Sequence, residues 1–111
     1  MAKPFYPCDF YNNGTYMIRY SDEVYASIGW TESSYNVVPA RIMGLSFPSF
    51  LRFARDRYNA VLGGQSQKYV TMTFKDKKDC QNLCDILNKR WREVMNQDVL
   101  LRCEIFKKGF Y

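Results

Sequence analysis

The sequence predicts an α+β domain with two layers, in which two helices pack on one face of a mixed β-sheet. Two segments of the C-terminal half repeat apolar residues with the period of a helix, and two others alternate with the period of a strand. Each helix is apolar along one stripe only, so a single sheet can cover both. With 111 residues, the chain suits one domain, 1–111, that buries a core without disulfide bonds.

The N-terminal part of the chain has the weaker patterns. The segment 12–20, NNGTYMIRY, predicts a turn and then a strand with Tyr16, Ile18 and Tyr20 on one side. The segment 23–30, EVYASIGW, fits either a strand or a short helix. We expect the strands of this region to join the sheet as antiparallel partners.

The pattern of segment 35–43, YNVVPARIM, predicts a strand that Pro39 interrupts. Proline cannot donate a ladder hydrogen bond, so this strand is expected at an edge of the sheet. From Tyr35 onward the predicted order is strand, helix, strand, helix, strand. That order forms the C-terminal β-α-β-α-β part of the mixed sheet, and any parallel crossover in it would be right-handed.

The first long helix is predicted over 46–64, SFPSFLRFARDRYNAVLGG. Ser46 suits the N-cap, Pro48 fits the first turn, and Gly63 with Gly64 ends the helix. Its polar side carries Arg52, Arg55, Asp56 and Asn59. Its apolar stripe consists of Phe47, Phe50, Leu51, Ala54, Tyr58, Val61 and Leu62.

Two strands are predicted on either side of the second long helix. The segment 68–74, KYVTMTF, alternates with period two and places Val70, Met72 and Phe74 on one face. The segment 99–106, VLLRCEIF, follows the helix after a very short loop and also reads as a strand. The order of these segments places both strands in the same sheet.

The second long helix begins after Asp76 or Asp79, either of which can cap it, and ends near Asn96. Its opposite face carries charges of both signs, which is typical of a solvated surface. Its apolar stripe consists of Cys80, Leu83, Cys84, Leu87, Trp91, Val94 and Met95.

Charge is unevenly distributed along the chain. The net charge is +5: residues 1–45 hold three basic and four acidic residues, and residues 46–111 hold thirteen basic and seven acidic ones. Most aromatic residues of the first part are tyrosines. This contrast indicates either an acidic partner that binds the basic part or a protein interface on the tyrosine-rich part. The simpler interpretation is a solvated basic surface and a half-buried, tyrosine-rich sheet.

Targeting features are not evident in the sequence. No stretch approaches the roughly 18 apolar residues of a membrane-spanning helix, and the first residues lack the pattern of a secretory signal. We therefore expect a cytoplasmic protein without a membrane partner. In that compartment the four cysteines should be reduced thiols.

The cysteines are expected to be core residues. Cys80 and Cys84 lie in the apolar stripe of a helix, Cys103 lies on the inward face of a strand, and Cys8 lies in a loop. Four thiolates could bind zinc, but a pair four residues apart within a regular helix lacks the tight turn of structural zinc sites. Because free cysteine packs as a small hydrophobe, we predict buried thiols, with no metal and no cofactor.

Catalytic groups are scarce. The chain has no histidine, so a serine or cysteine nucleophile lacks its usual base. It has no glycine-rich phosphate loop, because Gly63 and Gly64 follow a helix and do not open one. A metal-dependent nuclease with carboxylate ligands that converge in space is the alternative. We expect a protein that is not an enzyme.

The first long helix carries the leading candidate for a binding site: Arg52, Phe53, Arg55 and Arg57. Phe53 lies outside the apolar stripe, one turn before Arg57, so we expect it to be exposed unless an N-terminal loop covers it. An exposed phenylalanine between arginines suits a protein interface or a stacking surface for a base.

The open face of the predicted sheet is the alternative site, for nucleic acid. Aromatic and basic side chains on a sheet stack and clamp bases in some single-strand RNA binders. The glycine-containing signature of the RRM strand is absent, and a half-solvated sheet would show the same residues. The candidates are Tyr69, Lys75, Arg102 and Phe106, with Thr71 and Thr73 between them.

These observations favour a small non-enzymatic binding protein that docks onto a protein or nucleoprotein partner, which we expect to be acidic. Accessory or inhibitory factors of mobile elements such as phages are often proteins of this kind, which is an association and not a deduction. A nucleic-acid-binding module is the alternative. A structural subunit that forms homo-oligomers through its tyrosine-rich part is a third possibility.

Overall fold

The computed structural model describes residues 3–9, 14–28, 37–66 and 69–96. These residues form an α+β fold, as the sequence predicts, with four helices and two small antiparallel sheets. In chain order the elements are β1 (Phe5–Asp9), β2 (Tyr16–Tyr20), α1 (Asp22–Ile28), α2 (Val37–Ile42), α3 (Phe47–Tyr58), β3 (Val61–Ser66), β4 (Tyr69–Thr73) and α4 (Lys77–Met95).

The strands form two hairpins, β1–β2 and β3–β4, and an antiparallel bridge between described residues links them. In this bridge the N–H of Tyr16 donates to the carbonyl of Phe74 over 2.7 Å, and the reverse bond is 2.8 Å long. All pairings among the described strands are antiparallel, whereas the sequence suggested a mixed sheet. The predicted strand 99–106, which would complete the β-α-β-α-β order, lies outside the described residues.

The predicted strand over 35–43 is wrong, because residues 37–42 form helix α2. Pro39 is compatible with this helix since it lies in the first turn, where its missing N–H has no helical partner. Val38 and Ile42 lie one turn apart and are both buried. Gly44 ends the segment in a left-handed conformation, with φ of 70°.

Helix α3 ends earlier than predicted, at Tyr58. Asn59 adopts a left-handed conformation with φ of 57°, which asparagine tolerates better than most residues. The N–H groups of Asn59 and Ala60 both donate to the carbonyl of Ala54. The apolar pair Val61 and Leu62 therefore begins strand β3 and does not extend the helical stripe.

Other element predictions are confirmed. For segment 23–30 the sequence left a strand and a short helix open, and the part of it that the structure describes belongs to the helix α1. The strand over 68–74 is present as β4, and Met72 and Phe74 are buried as expected. Ile18 and Tyr20 of β2 share the buried side, with Tyr16 half-buried.

Among the described elements, helix α4 supplies the most buried core residues. Asp76 caps it, since its side chain accepts a 2.9 Å hydrogen bond from the N–H of Lys78. The indole N–H of Trp91 donates to Glu23 of α1 over 3.1 Å, and the Trp91 ring meets the edge of Phe5. The predicted stripe is confirmed: Met95 is half-buried, and the buried members are Cys80, Leu83, Cys84, Leu87, Trp91 and Val94.

Asn88 of α4 holds the edge of β1. Its Oδ1 accepts a 2.7 Å hydrogen bond from the N–H of Phe5, and its Nδ2 donates to the Phe5 carbonyl over 3.0 Å. The side-chain amide thus pairs with Phe5 as a neighbouring strand would. Backbone groups alternate in direction along a strand, so Pro7 also points to this outer edge, where its missing N–H breaks no ladder bond.

Candidate functional site

Helix α3 positions the residues of the leading candidate site. Its N-terminus is set by Ser46, whose hydroxyl accepts a 3.3 Å hydrogen bond from the N–H of Ser49. Phe50, Leu51 and Ala54 bury one side of the helix against the core. Exposed residues lie away from this buried side, among them Arg52, Arg55 and Asp56.

The four predicted residues lie on two flanks of α3. At about 100° per residue, Arg52 and Arg55 differ by about 60°, and Phe53 and Arg57 by about 40°. Phe53 and Arg55, by contrast, are about 160° apart around the helix. The structure therefore brings Arg52 and Arg55 together as an exposed pair, which we call the basic flank, and places Phe53 with Arg57 on the other side.

Phe53 is half-buried, so the expectation that it is exposed is wrong. Its ring packs against the core and meets the edge of Tyr58, with ring centroids 5.5 Å apart and planes at 64°. Long helical side chains usually lean toward the N-terminus of their helix, and the contact of Tyr58 with a residue five positions earlier agrees with this. Phe53 thus serves packing on this side of α3, and Arg57 beside it is exposed.

The charges of the basic flank remain accessible. The Nε of Arg55 lies 3.0 Å from Asp56, but both side chains are more than half exposed, at 53% and 61%. Exposed ion pairs contribute only about 0–1 kcal/mol, so a partner can displace this one. Arg52 reaches the hydroxyl of Ser49 over 3.5 Å, which is a weak contact.

A second candidate surface lies on the two hairpins. Successive side chains of a strand point to opposite faces, and the residues that enter the core are Phe5, Ile18, Tyr20, Met72 and Phe74. The alternate positions face away from the core. We call this surface the outer sheet face. Its strand residues are Tyr6, Cys8, Met17, Arg19, Val61, Gly63, Thr71 and Thr73, and we include the exposed Lys75, which lies two residues beyond the end of β4.

The outer sheet face combines apolar and basic groups. Tyr6 is 36% and Val61 43% exposed, and these are the exposed large hydrophobic residues of the described part of the chain. Arg19 pairs with Tyr6 in the β1–β2 register, and Lys75 follows β4. Both basic residues are exposed, and no acidic residue is among the described members of this face.

Only part of the predicted sheet site is described. Lys75 is exposed and lies just beyond β4. The backbone of Tyr69 lies in β4, whereas Arg102 and Phe106 lie outside the described residues. Thr71 is exposed and Thr73 half-buried.

Sequence reasoning missed Tyr6 and Arg19 as surface candidates. The period of β2 already placed Tyr16, Ile18 and Tyr20 on one side, so the same pattern could have assigned Arg19 to the other. Tyr6 had no comparable pattern, because Pro7 interrupts a strand of five residues.

The thiols of Cys80 and Cys84 are free and buried, as predicted. A hydrogen bond with Cys80 and burial in the core together raise the pKa of Cys84 far above its ordinary value. Cys8 lies in strand β1 and not in a loop, and Cys103 lies outside the described residues. Within the described ranges, no three or more cysteine, aspartate or glutamate side chains cluster as metal ligands would.

Comparison of the chain with protein-family models, with curated proteins and with solved structures finds no match. In the part of the chain that the structure describes, none of the helices has the length and apolar character that crossing a membrane requires. The functional argument therefore depends on the two surfaces themselves.

Proposed function

We propose that this protein is a small non-enzymatic binding protein that docks onto an acidic macromolecular partner, a protein or a nucleoprotein complex. The basic flank of α3 is the proposed contact. The observation that carries the proposal is the exposure of Arg52 and Arg55 on one side of a well-capped helix.

The chemistry of the basic flank supports an acidic partner. A guanidinium group binds a carboxylate through two parallel hydrogen bonds, and arginine is enriched among residues that dominate interface energies. The buried side of the helix packs against the core, so the backbone that carries the two arginines is held in place. Fixed positions reduce the entropy that binding must remove.

The proposed place of action is a reducing compartment such as the cytoplasm. The buried free thiols of Cys80 and Cys84 suit such a compartment.

The test is affinity capture from a lysate of the native host, with and without nuclease, followed by mass spectrometry. The double variant Arg52→Glu and Arg55→Glu should lose the partner because its flank would repel an acidic surface. The control, Lys89→Glu with Arg92→Glu, makes the same charge change on the exposed side of α4 and should keep the partner.

Two results would contradict the proposal. The first is a partner that survives the α3 reversal as well as the α4 reversal. The second is self-association as the only interaction, which sedimentation velocity at rising protein concentration would reveal.

A further inference from the structure

We propose that the outer sheet face binds single-stranded nucleic acid. This surface lies on strands β1 to β4 and is distinct from the basic flank of α3. It therefore adds a second binding activity to the docking proposed above and does not depend on it.

The pair Tyr6 and Arg19 provides the central chemistry. The two residues are directly opposite in the antiparallel register, on the exposed side of β1 and β2. A tyrosine ring offers a flat surface on which an unpaired base stacks, and an arginine beside it reaches the phosphate of the same nucleotide. The adjacent placement puts both groups within reach of one nucleotide.

The charge of this face favours a polyanion over a protein. Its described charged members, Arg19 and Lys75, are both basic, and both are exposed. Asp9 belongs to the core-side row of β1 together with Phe5, so it does not belong to this surface. The centre of a protein interface is usually depleted of lysine, whereas lysine and arginine supply the charge that neutralises phosphates.

The shape of the face favours a single strand over a duplex. The Tyr6 ring can stack only on a base that is not already paired within a helix. Gly63 lies opposite Thr71, and a Cβ at this glycine would come within 3.1 Å of the Thr71 Oγ1. The missing side chain gives the Thr71 hydroxyl room beside β3 and adds no bulk to this face.

The experiment measures the fluorescence anisotropy of labelled oligouridylate and oligothymidylate of about twelve nucleotides, within the site sizes of single-strand binders. The unmodified chain should bind at least one of them, and an unlabelled duplex of equal length should compete poorly. Comparison of the two probes shows whether RNA or DNA is the ligand. Affinity should fall as salt rises, with a slope of about 0.7 for each phosphate contacted.

Charge reversal locates the site. Arg19→Glu and Lys75→Glu should each weaken binding and each reduce the salt slope by about 0.7. The matched changes Arg92→Glu and Lys89→Glu, on the exposed side of α4, should leave the slope unchanged. If the α4 variants lose as much affinity as the variants at Arg19 and Lys75, the proposed site is wrong, because binding would then depend on the net charge of the protein alone.

Substitutions of Tyr6 separate stacking from apolar contact. Tyr6→Phe keeps the aromatic ring and should bind as the unmodified chain does. Tyr6→Leu should weaken binding on the order of tenfold, because base stacking on the ring is lost. Thermal melting of each variant checks the fold, which should be unaffected because the changes are at an exposed position.

Three outcomes would overturn the inference: no binding of either single strand, equal binding of the duplex, or full binding by Tyr6→Leu. If Tyr6→Leu instead abolishes the capture of a nuclease-resistant protein, the outer sheet face is a protein interface. The two proposals fail separately, because the reversal at Arg52 and Arg55 should leave oligonucleotide binding intact.

Discussion

Helices α3 and α4 have the same kind of amphipathic pattern, but they differ in how many residues they bury and in how many other elements their side chains contact. α4 also binds two other elements through side chains, β1 through Asn88 and α1 through Trp91. Three of the described residues of α3 are buried. In α4 seven are buried: Cys80, Leu83, Cys84, Leu87, Asn88, Trp91 and Val94. Periodicity therefore identifies the buried side of a helix but not how many other elements depend on it.

The largest expected difference is in the free energy of unfolding after removal of one leucine from each helix. Leu87 of α4 is 0% exposed, and Leu87→Ala should cost about 2–5 kcal/mol because it leaves a cavity in the centre of the core. Leu51 of α3 is 8% exposed, so Leu51→Ala should fall near the low end of that range. Urea denaturation measures both, and a greater loss at Leu51 would contradict the comparison.

The next largest effect concerns Asn88. Asn88→Ala leaves the buried N–H and carbonyl of Phe5 without their partners, which should cost about 2–3 kcal/mol. Asn82→Ala makes the same change at an exposed position of the same helix and should stay within about 0.5 kcal/mol. Equal losses in the two variants would show that the amide clamp on β1 adds nothing to stability.

The pH dependence of stability should reveal the buried thiol of Cys84. The pKa of Cys84 is raised in the folded chain, whereas an unfolded thiol ionises near pH 8.5. Above that pH the unfolded chain loses a proton that the folded chain keeps, so stability falls by about 1.4 kcal/mol per pH unit. Cys84→Ala should show a shallower decline between about pH 9 and pH 10. Parallel curves for the two proteins would contradict this assignment.

The smallest expected difference is between the helix caps. Asp76 accepts its bond from Lys78 over 2.9 Å and places a negative charge at the positive end of α4. Ser46 accepts from Ser49 over a longer 3.3 Å and is neutral. Asp76→Ala should therefore cost about 1 kcal/mol and Ser46→Ala about 0.5 kcal/mol, as measured by urea denaturation. The reverse order would show that the charge at α4 has no effect.

The fold class was predictable where one hydrophobic period repeats several times along a segment. The stripe of α4 and the alternation of β4 each repeat often enough to exclude the other period. The prediction of a strand over 35–43 was wrong because Pro39, which interrupts a strand, is equally acceptable in the first turn of a helix. The end of α3 at Tyr58 depends on the left-handed conformation of Asn59, whereas the apolar residues after it continue the helical stripe in sequence.

The candidate sites were predictable in composition and less so in arrangement. The arginines of α3 are exposed as expected, but helical periodicity does not indicate the ring contact between Phe53 and Tyr58, which are five residues apart. The outer sheet face depends on the pairing of Tyr6 with Arg19, which are thirteen residues apart in the chain. A short strand containing proline does not reveal its partner in advance.

The clamp of Asn88 on Phe5 joins residues 83 positions apart, which has a consequence for the newly made chain. At about 5–20 residues per second, a ribosome needs about 4–17 seconds to advance from Phe5 to Asn88. During that interval the outer edge of β1 lacks the amide that covers it, and an uncovered strand edge can pair with other chains. We expect Pro7, which offers no N–H on that edge, to limit such pairing until synthesis has passed Asn88.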